Sequence, residues 1–423
     1  MRELEHRYPD TVAVVGVHSG KFLAERETHR IRDASIRLGA THPTINDRQF
    51  RLWRAYAVRA WPTLVAVDPR GFVVGMKAGE FTADAIAPFV DRVLASARAA
   101  DNLVPGSLRF ASEPSVVPAG VLAFPGKITV DGRRIAIADS GHQRVLVGSV
   151  DERGFRVRVE RTIGGTGAGY RDGADPAFVN PQGLAFSGDL LYVADAGSHT
   201  VREVSLRTGA TRTIAGTGRQ LRSAVDEARG ALASPWDLAL VDGELHVAMA
   251  GIHQLWTITL ATGTVAVASG SGAEGLHDGP HAEAAFAQPM GICDGADVMH
   301  FVDAESSAVR VADRASRGGV RTLIGTGLFD FGDVDGVGAD VRLQHPQGIA
   351  LAPDGRLLVC DTYNDALKWV DPASRRVERW VGGFHEPSGL ALGENVVYVA
   401  DTNAHRIAVV ELSTGSVHTL IIE

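Results

Sequence analysis

The sequence predicts a mainly β protein in which a six-bladed β-propeller, residues 121–423, follows a smaller α/β domain of about one hundred residues. Three observations predict the propeller: a proline-headed phrase that occurs six times, an acidic residue at a fixed distance after it, and strand-like alternation of apolar and polar residues between turns. Each unit offers four short antiparallel strands, and such sheets bury both faces when they stack radially.

The first hundred residues alternate between strand and helix patterns. Thr11–Val17 is an apolar run typical of a buried strand, and residues 22–39 have the charge distribution of a helix. Leu64–Asp68 and Phe72–Gly75 predict two strands joined by an Asp-Pro-Arg-Gly turn, and Thr82–Ala99 predicts a second helix. We therefore expect an α/β domain at 1–100, and a linker rich in Pro, Ser and Ala at 101–120.

The repeated phrase reads Pro-x-Gly-(Leu/Ile)-(Ala/Cys), and a strand follows it. Its six prolines are Pro125, Pro181, Pro235, Pro289, Pro346 and Pro387. The strand after it ends in an acidic residue in five of the units, and in Met249 in the third. The five acids are Asp139, Asp195, Asp303, Asp361 and Asp401. Two landmarks that keep register six times indicate six blades.

The sixth unit is the shortest, so the longer units carry an insertion after the fourth strand. Each insertion opens on a Gly-rich turn, and three of the four continue with an Asp-Gly pair, at Asp172, Asp278 and Asp335. We expect a tight glycine turn followed by a short helical turn that packs on one rim of the propeller.

Two segments resemble the signature of NHL repeats. Ala400–Ile407 reads Ala-Asp-Thr-Asn-Ala-His-Arg-Ile, and Ala138–Val145 is a close variant. The resemblance covers all six units and implies a platform that binds proteins or other ligands, although a few relatives are enzymes.

Trp61-Pro62-Thr63 stands just before the predicted hairpin and resembles the cis-proline segment of thioredoxin-fold proteins. With Val14–Phe22 and Tyr56–Thr63, it resembles the family in which a thioredoxin-like domain precedes an NHL propeller. In that family a Cys-x-x-Cys motif starts a helix, and Met1–Tyr8 resembles the end of that helix, without the cysteines. Either the motif is encoded upstream or it has been lost. We favour the first, because loss of the strand and helix would expose a sheet edge.

The strand-end aspartates admit two interpretations. As a functional feature they would ring one end of the central channel, and as a structural feature each would accept hydrogen bonds from its following turn. We favour the structural interpretation, because like charges crowded into a ring would repel one another. Asp333, Asp335 and Asp340 are weak candidates for a calcium site.

A metal-dependent hydrolase or lyase acting in the channel is the alternative function. Its ligands would come from the residues that open the first strands, and only one of these is a carboxylate. They are Gln182, Trp236, Asp237, Met290, Gln347 and Ser388. The histidines that share one repeat position, His199, His253 and His405, suggest packing between blades. We therefore expect no catalytic residue, no metal and no cofactor.

Charge and cysteine content restrict the partners and the compartment. The net charge is −8, and the first 100 residues hold 15 Lys and Arg against 11 Asp and Glu, which is +4 and leaves −12 for residues 101–423. We therefore expect no nucleic-acid partner. Apolar runs are strand-sized and Met1–Arg7 lacks the apolar core of a secretory signal, so no membrane association is expected. Cys293 and Cys360 are the only cysteines, which indicates a reducing, cytoplasmic environment.

Together these observations predict a propeller that binds a protein or small-molecule ligand on one of its faces. The thioredoxin-like domain would give it an auxiliary role in thiol redox or stress biology. The chain itself cannot carry out dithiol exchange, because that reaction needs an attacking thiolate and a resolving partner.

Overall fold

The computed structural model describes residues 1–104, 106, 120–165, 167 and 169–423. The chain divides into two compact units, Met1–Val116 and Val117–Glu423. Most of the linker predicted at 101–120 lies outside the described residues. No helix among the described residues is both long and apolar enough to cross a bilayer.

Residues 1–104 of the first unit contain four helices, one 3-10 turn and two small sheets. The helices are Arg2–Arg7, Thr28–Arg37, Arg51–Ala55 and Ala83–Ala99, and the 3-10 turn is Ala24–Arg26. Strand Gly16–His18 pairs in parallel with Thr44–Asn46, and Thr63–Val67 pairs in antiparallel with Val73–Ala78. Leu4 of the first helix packs on Ala83 and Ile86 of the last.

Two elements of this unit are shorter than the sequence predicts. In the apolar run Thr11–Val17 only Gly16–His18 finds a partner strand among the described residues, so the rest of the run stays outside the sheet. The helix predicted from residue 22 begins at Thr28, because Glu25 turns back to accept the Phe22 backbone N–H at 3.0 Å and Glu27 is extended. The lengths of this helix and this strand therefore depend on contacts that cannot be predicted from the local pattern of apolar and polar residues.

The second unit is a six-bladed β-propeller, which confirms the fold predicted from the repeat. Each blade is an antiparallel sheet whose strands we call A to D, from the axis outwards. Blade 1 comprises Pro125–Asp131, Arg134–Asp139, Arg144–Val150 and Arg156–Gly164. Blade 2 comprises Pro181–Ser187, Leu190–Asp195, Thr200–Ser205 and Thr211–Ala215. Blade 3 comprises Pro235–Val241, Glu244–Met249, Gln254–Thr259 and Thr264–Ser269.

The remaining three blades repeat this arrangement. Blade 4 comprises Pro289–Asp294, Val298–Asp303, Ala308–Asp313 and Gly319–Ile324. Blade 5 comprises Gly348–Leu351, Leu357–Asp361, Ala366–Asp371 and Arg376–Gly382. Blade 6 comprises Pro387–Leu392, Val396–Asp401, Arg406–Glu411 and Val417–Thr419.

Short segments outside this scheme add a fifth strand to three blades. Gly279–Pro280 extends blade 4 and Gly336–Val337 extends blade 5, both antiparallel to strand D. Ile421–Ile422 runs parallel to strand D of blade 1 and so joins the end of the chain to the first blade. The helical turns expected in the insertions are Ala224–Ala228 before blade 3 and the 3-10 turn Gly338–Asp340 before blade 5.

The hydrophobic core lies between neighbouring blades. Where blade 6 meets blade 1, for example, Ile135 and Ile137 pack with Tyr398, Ile407 and Leu420 in one buried cluster. The A strands of adjacent blades lie side by side around the axis. We call the face on which the A strands begin the proline face, because each repeat proline lies at that end.

Candidate functional site at the channel mouth

The residue after each repeat proline lies at the rim of the central channel on the proline face. In five blades the pairing of strands A and B shifts register here, so the A strand carries a β-bulge that turns this residue out of the regular ladder. In blade 5 the residue, Gln347, comes directly before strand A. We call these six residues the mouth ring. They are Gly126, Gln182, Trp236, Met290, Gln347 and Ser388.

The next residue of each A strand forms a neck where the six strands approach one another most closely. Glycine stands there in four blades, at Gly183, Gly291, Gly348 and Gly389. A Cβ atom on Gly183 would lie 2.5 Å from Asp237 Cα, and one on Gly291 would lie 2.6 Å from the Gln347 carbonyl oxygen. The backbones therefore meet too closely for side chains at these positions.

The other two neck positions carry opposite charges. Lys127 of blade 1 and Asp237 of blade 3 form a buried ion pair, with 3.2 Å between Lys127 Nζ and Asp237 Oδ2. The ammonium group also donates to the Met290 carbonyl oxygen at 2.9 Å and to the Gln347 carbonyl oxygen. Burial raises the pKa of the Asp237 carboxyl above its usual range, against the opposing charge of Lys127. All three ammonium hydrogens of Lys127 therefore have an acceptor, and the side chain spans the neck.

Beyond the neck lies a cavity of about 170 Å³, bounded by Lys127 and Asp237 at one end. Its walls are A-strand residues, among them Ile128, Leu184, Leu238, Ile292 and Leu390, and the surface that they present to the cavity is mostly polar. Because the neck is filled by the ion pair, the channel is closed between the proline face and this cavity.

Most of the polar mouth-ring side chains are already hydrogen bonded within the protein. Gln182 donates to Ser140 Oγ at 3.2 Å, Ser388 donates to the Gly126 carbonyl oxygen at 2.8 Å, and Gln347 Nε2 lies 3.1 Å from His345 Nδ1. Trp236 differs. Its indole N–H is buried and has no partner among the described residues, while its ring packs with Ala250, Met290 and Ala304. A buried donor without a hydrogen-bond partner is costly, so Trp236 stands out among the mouth-ring residues.

The five strand-end aspartates are fully buried at the proline-face end of strand B, where four of them pair in register with the repeat proline of strand A. Each accepts a backbone N–H from the loop that precedes its own blade, as when Val179 donates to Asp195 at 2.7 Å. The other donors are Ala123, Ala287, Gln344 and His385. The following turn also contributes, since the hydroxyls of Ser198 and Ser306 donate to Asp195 and Asp303. These carboxylates are thus used to hold loops in place.

A buried cation on strand C accompanies the aspartate in blades 2, 4 and 5. In blade 2, Arg202 lies 3.4 Å from Asp195 and 2.6 Å from Asp172 of the incoming Asp-Gly pair. The equivalent groups are Arg310 with Asp303 and Asp278, and Lys368 with Asp361 and Asp335. Burial outweighs the hydrogen bonds and the nearby cation, and it raises the pKa of each of the three strand-end carboxyls to about 6.

Blades 1 and 6 neutralise the aspartate from a different position. Arg144 Nε lies 2.7 Å from Asp139 and Arg406 Nε lies 2.8 Å from Asp401, and both arginines come two residues earlier in the repeat than Arg202 does. Blade 3 has Met249 in place of the acid and the apolar Trp256 in place of the cation. Acid and cation are therefore present together or absent together, as the cost of an unpaired buried charge requires.

Two of the three weak calcium candidates, Asp333 and Asp335, converge on the ammonium group of Lys368 and not on an open site, and Asp340 lies apart from them. Asp333 pairs with Lys368 at 2.6 Å and with Arg379 at 2.7 Å, and Asp335 accepts the Arg379 backbone N–H at 2.7 Å. Asp340 is exposed in the turn Gly338–Asp340. Across the described parts of the chain, no three His, Cys, Asp or Glu side chains are grouped so that they could hold a metal ion.

The histidines at the shared repeat position connect neighbouring blades. His199 Nδ1 accepts the Ser234 backbone N–H at 3.1 Å, and His253 and His405 accept from Gln288 and Phe124 in the same way. Each histidine has a left-handed backbone, with φ of 55° to 57°. Burial, and then the charge of Arg222, lowers the pKa of His199, so a neutral ring acts as the acceptor at pH 7.

In the first unit, Trp61, Pro62 and Thr63 lead into the hairpin that begins at Thr63. The Trp61–Pro62 peptide bond is cis. The Trp61 indole N–H donates to the Ser19 carbonyl oxygen at 2.7 Å, and its ring lies 4.3 Å from the ring of Trp53 and remains 46% exposed. Thr63 Oγ1 donates to the Ala60 carbonyl oxygen.

Asp47 organises the helix that supports this aromatic surface. Its carboxylate accepts the backbone N–H groups of Arg51, Leu52 and Trp53 at the start of helix Arg51–Ala55, and the hydroxyl of Ser19. Burial would raise the pKa of Asp47, but these four hydrogen bonds hold it below its usual range.

Comparison with known protein families finds a match in two blades. The family description "NHL repeat" matches residues 343–369 and 384–410, which are strands A to C of blades 5 and 6 with the residues that precede them. Blades 5 and 6 are similar to NHL repeats.

The propeller and the unit before it align together with longer proteins. The chain is 35% identical to NHL repeat-containing protein 2 of Gallus gallus over 474 residues, which cover 98% of this chain and 64% of that protein. It is 37% identical over 463 residues to Protein SUPPRESSOR OF QUENCHING 1, chloroplastic, of Arabidopsis thaliana, over 97% of this chain and 42% of that one. The chain therefore spans less than two thirds of the length of these relatives.

A solved structure shows a likeness of fold alone. A protein of unknown function from Bacteroides thetaiotaomicron superposes with a TM-score of 0.51 and 15% sequence identity, over 69% of this chain and 70% of that one.

Lys127 is the residue at this site that the sequence patterns did not single out. Its signal was present, because Lys127 and Asp237 occupy the glycine position of the repeated phrase. The sequence does not show that these two side chains lie close enough across the ring to form an ion pair.

Proposed function

We propose that the NHL propeller is a binding module whose ligand, a protein or a small molecule, docks on the proline face over the mouth ring. The unpaired, buried indole N–H of Trp236 carries this proposal. A ligand carbonyl or carboxylate at the mouth would accept that hydrogen bond and remove the penalty of the unsatisfied donor. The closed neck below supports docking at the surface, because a ligand on this face cannot pass Lys127 into the cavity.

The alternative of a metal-dependent hydrolase or lyase in the channel has less support. Asp237 is the one carboxylate among the mouth and neck residues, and Lys127 already occupies it. Hard divalent ions in proteins take several oxygen ligands, commonly from more than one carboxylate.

For the first unit we propose a thioredoxin-like domain with an auxiliary role in thiol redox or stress biology. Support comes from the order of its elements around Trp61-Pro62-Thr63, a hairpin and then helix Ala83–Ala99, and from the exposed aromatic surface of Trp53 and Trp61. The 423 residues hold no cysteine in this unit, so a dithiol reaction would need thiols from elsewhere.

We further propose that the protein works in a reducing compartment, with the cytoplasm as the simplest choice. Both cysteines are free thiols inside propeller strands, and burial raises the pKa of each above its usual range. The plant relative has "chloroplastic" in its name, so the compartment is to be located directly with a tagged full-length protein.

The mouth is tested by Trp236→Phe, which removes the indole N–H and keeps an aromatic ring. Proteins and metabolites retained by the immobilised wild-type chain are identified by mass spectrometry, and the best candidate is titrated in purified form by calorimetry. We expect Trp236→Phe to weaken binding about 10-fold, as loss of one buried hydrogen bond predicts.

The matched control is Trp369→Phe, because Trp369 packs at a tilt against Trp380 in blade 5, away from the mouth. This variant is expected to bind as the wild type does. Equal affinity of the wild type and Trp236→Phe for every retained partner would refute docking at the mouth.

A further inference from the structure

Strand D of blade 3, Thr264–Ser269, is the outermost strand of its sheet, and no other described segment pairs with its outer edge. Contact with the rest of the chain on that side begins only at its end, where His281 Nδ1 lies 3.1 Å from Ser269 Oγ and the His281 carbonyl accepts the Gly270 N–H. Val267 is 45% exposed. A bare edge of this kind offers a row of unpaired N–H and C=O groups.

Four of the other five blades have this edge covered by the chain itself. Blades 4 and 5 have the fifth strands Gly279–Pro280 and Gly336–Val337, and blade 1 has Ile421–Ile422. In blade 2, Gly173 exchanges both backbone hydrogen bonds with Thr211. Blade 6 ends in a strand of only three residues, Val417–Thr419.

The missing cover in blade 3 follows from the polar groups that this blade lacks. In blades 2, 4 and 5 the incoming Asp-Gly pair is held by the strand C cation and by a strand D backbone N–H, as when Asp278 accepts from Arg310 and Thr322. The loop before blade 3 has no Asp-Gly pair, and Trp256 stands where the cation would be. Nothing therefore anchors that loop against strand D.

The bare edge also lacks charge, unlike strand D of the other blades. From Ala261 to Ala273 the sequence contains no ionisable side chain. Strand D of every other blade carries at least one, at Arg158, Arg212, Arg321, Arg379 and His418 respectively. Charges on an edge strand prevent pairing with another edge, and two identical strands oppose like charges when they pair.

We propose that strand D of blade 3 pairs with the same strand of a second copy of this chain, antiparallel across a twofold axis. With Ala266 at the axis, Val265 of one copy faces Val267 of the other, and Thr264 faces Ala268. Every cross-strand pair is then uncharged and β-branched or small, which suits an antiparallel ladder. An isologous contact of this type closes as a dimer and does not continue into a fibre.

The contact area is small because only one edge takes part, so the dimer forms weakly. Sedimentation velocity of the full chain from about 5 to about 300 µM is expected to give a monomer–dimer equilibrium with a dissociation constant of ~10–100 µM. Hydrogen exchange at Thr264–Ser269 is expected to slow as the protein concentration rises.

Val267→Lys places two ammonium groups close together at the twofold contact and is expected to raise the dissociation constant at least ~10-fold. Val417→Lys is the matched control, since Val417 is an exposed valine of strand D in blade 6. The control is expected to dimerise as the wild type does. Thermal unfolding of both variants verifies that the propeller is folded.

A chain that sediments as a monomer throughout this range overturns the proposal, as does a dimer that Val267→Lys leaves intact. The proposal is also overturned if hydrogen exchange at Thr264–Ser269 slows only when a different protein is bound, because the partner proposed here is a second copy of this chain.

Discussion

At the scale of single residues, the neck shows how two departures from a repeat can depend on each other. Lys127 or Asp237 alone would place a charge among six closely packed strands, with the desolvation penalty that this entails. Together the two side chains form an ion pair, and Lys127 also donates hydrogen bonds to two backbone carbonyl oxygens that a glycine could not reach. The pair therefore replaces two glycines and fills the centre of the ring.

A double-mutant cycle at the neck measures this dependence. We expect Lys127→Gly to lower the free energy of unfolding by about 3–5 kcal/mol, because Asp237 is left buried without its cation. Adding Asp237→Gly to that variant should restore part of the loss, since all six positions then carry glycine.

Urea unfolding of the wild type, both single variants and the double variant gives the coupling energy, which we expect to be at least ~1 kcal/mol. Additive effects of the two single changes would contradict a direct interaction between Lys127 and Asp237.

The aspartates of the Asp-Gly pairs stabilise the folded protein by an amount that depends on pH. Burial would raise the pKa of Asp278, but hydrogen bonds from Thr322 and Arg310 hold it below the usual 3.8. A carboxyl with a lowered pKa in the folded state stabilises the protein above its unfolded pKa, and that stabilisation is lost as the pH falls through the folded value.

We therefore expect Asp278→Asn to be less stable than the wild type at pH 5, and the difference to shrink as the pH falls below 3.8. Urea unfolding over a pH series from about 5 to about 3 measures it. This range lies below the pKa of Asp303, which is raised to about 6, so the folded-state carboxyl of Asp303, which shares Arg310 with Asp278, stays mostly protonated throughout. A difference that grows on acidification would contradict the assignment.

At the scale of elements, the repeat pattern predicted the blades because each strand alternates within its own few residues. It did not predict the fifth strands, because Gly279–Pro280 and Gly336–Val337 are strands only through their pairing with strand D. The same reason explains the short strand Gly16–His18, whose length is set by its partner Thr44–Asn46. The period of the apolar residues predicts which face of an element is buried. Where the element ends is decided by its pairing with a distant segment.

Removing Ile421–Glu423 tests one such element. The deletion removes the backbone hydrogen bonds to Phe155, Val157 and Val159 of blade 1 and the side chain of Ile422, which packs against the core between blades 6 and 1. We expect a loss of about 2–4 kcal/mol in the free energy of unfolding.

Hydrogen exchange should accelerate first at Val157 and Val159, beneath the deleted strand. Glu423→Gln is the control, because it removes only the exposed pair with Arg156 and should cost less than ~1 kcal/mol. A deletion no more harmful than the control would show that blade 1 does not depend on the fifth strand.

At the scale of the whole molecule, the ring closes through contacts that have no counterpart in a single blade. The number of blades could be read from the six prolines, because every blade repeats the same local pattern of strands and turns. The repeat also indicated five of the six mouth-ring residues, because they open the first strands. It did not show that the indole N–H of Trp236 lacks a partner, since that is visible only when the blades are assembled. The blade-to-blade bonds accepted by His199, His253 and His405 belong to this level, and their shared repeat position was the one sign of them in the sequence.

The parallel strand Ile421–Ile422 has a mechanical consequence. Tension applied at the carboxyl terminus runs along this strand, and its bonds to Phe155, Val157 and Val159 lie across the direction of pull. The bonds are therefore loaded side by side in shear and share the force, whereas an antiparallel hairpin end would open one bond at a time. A tether attached after Glu423 would consequently meet its resistance in blade 1, although the chain before it belongs to blade 6.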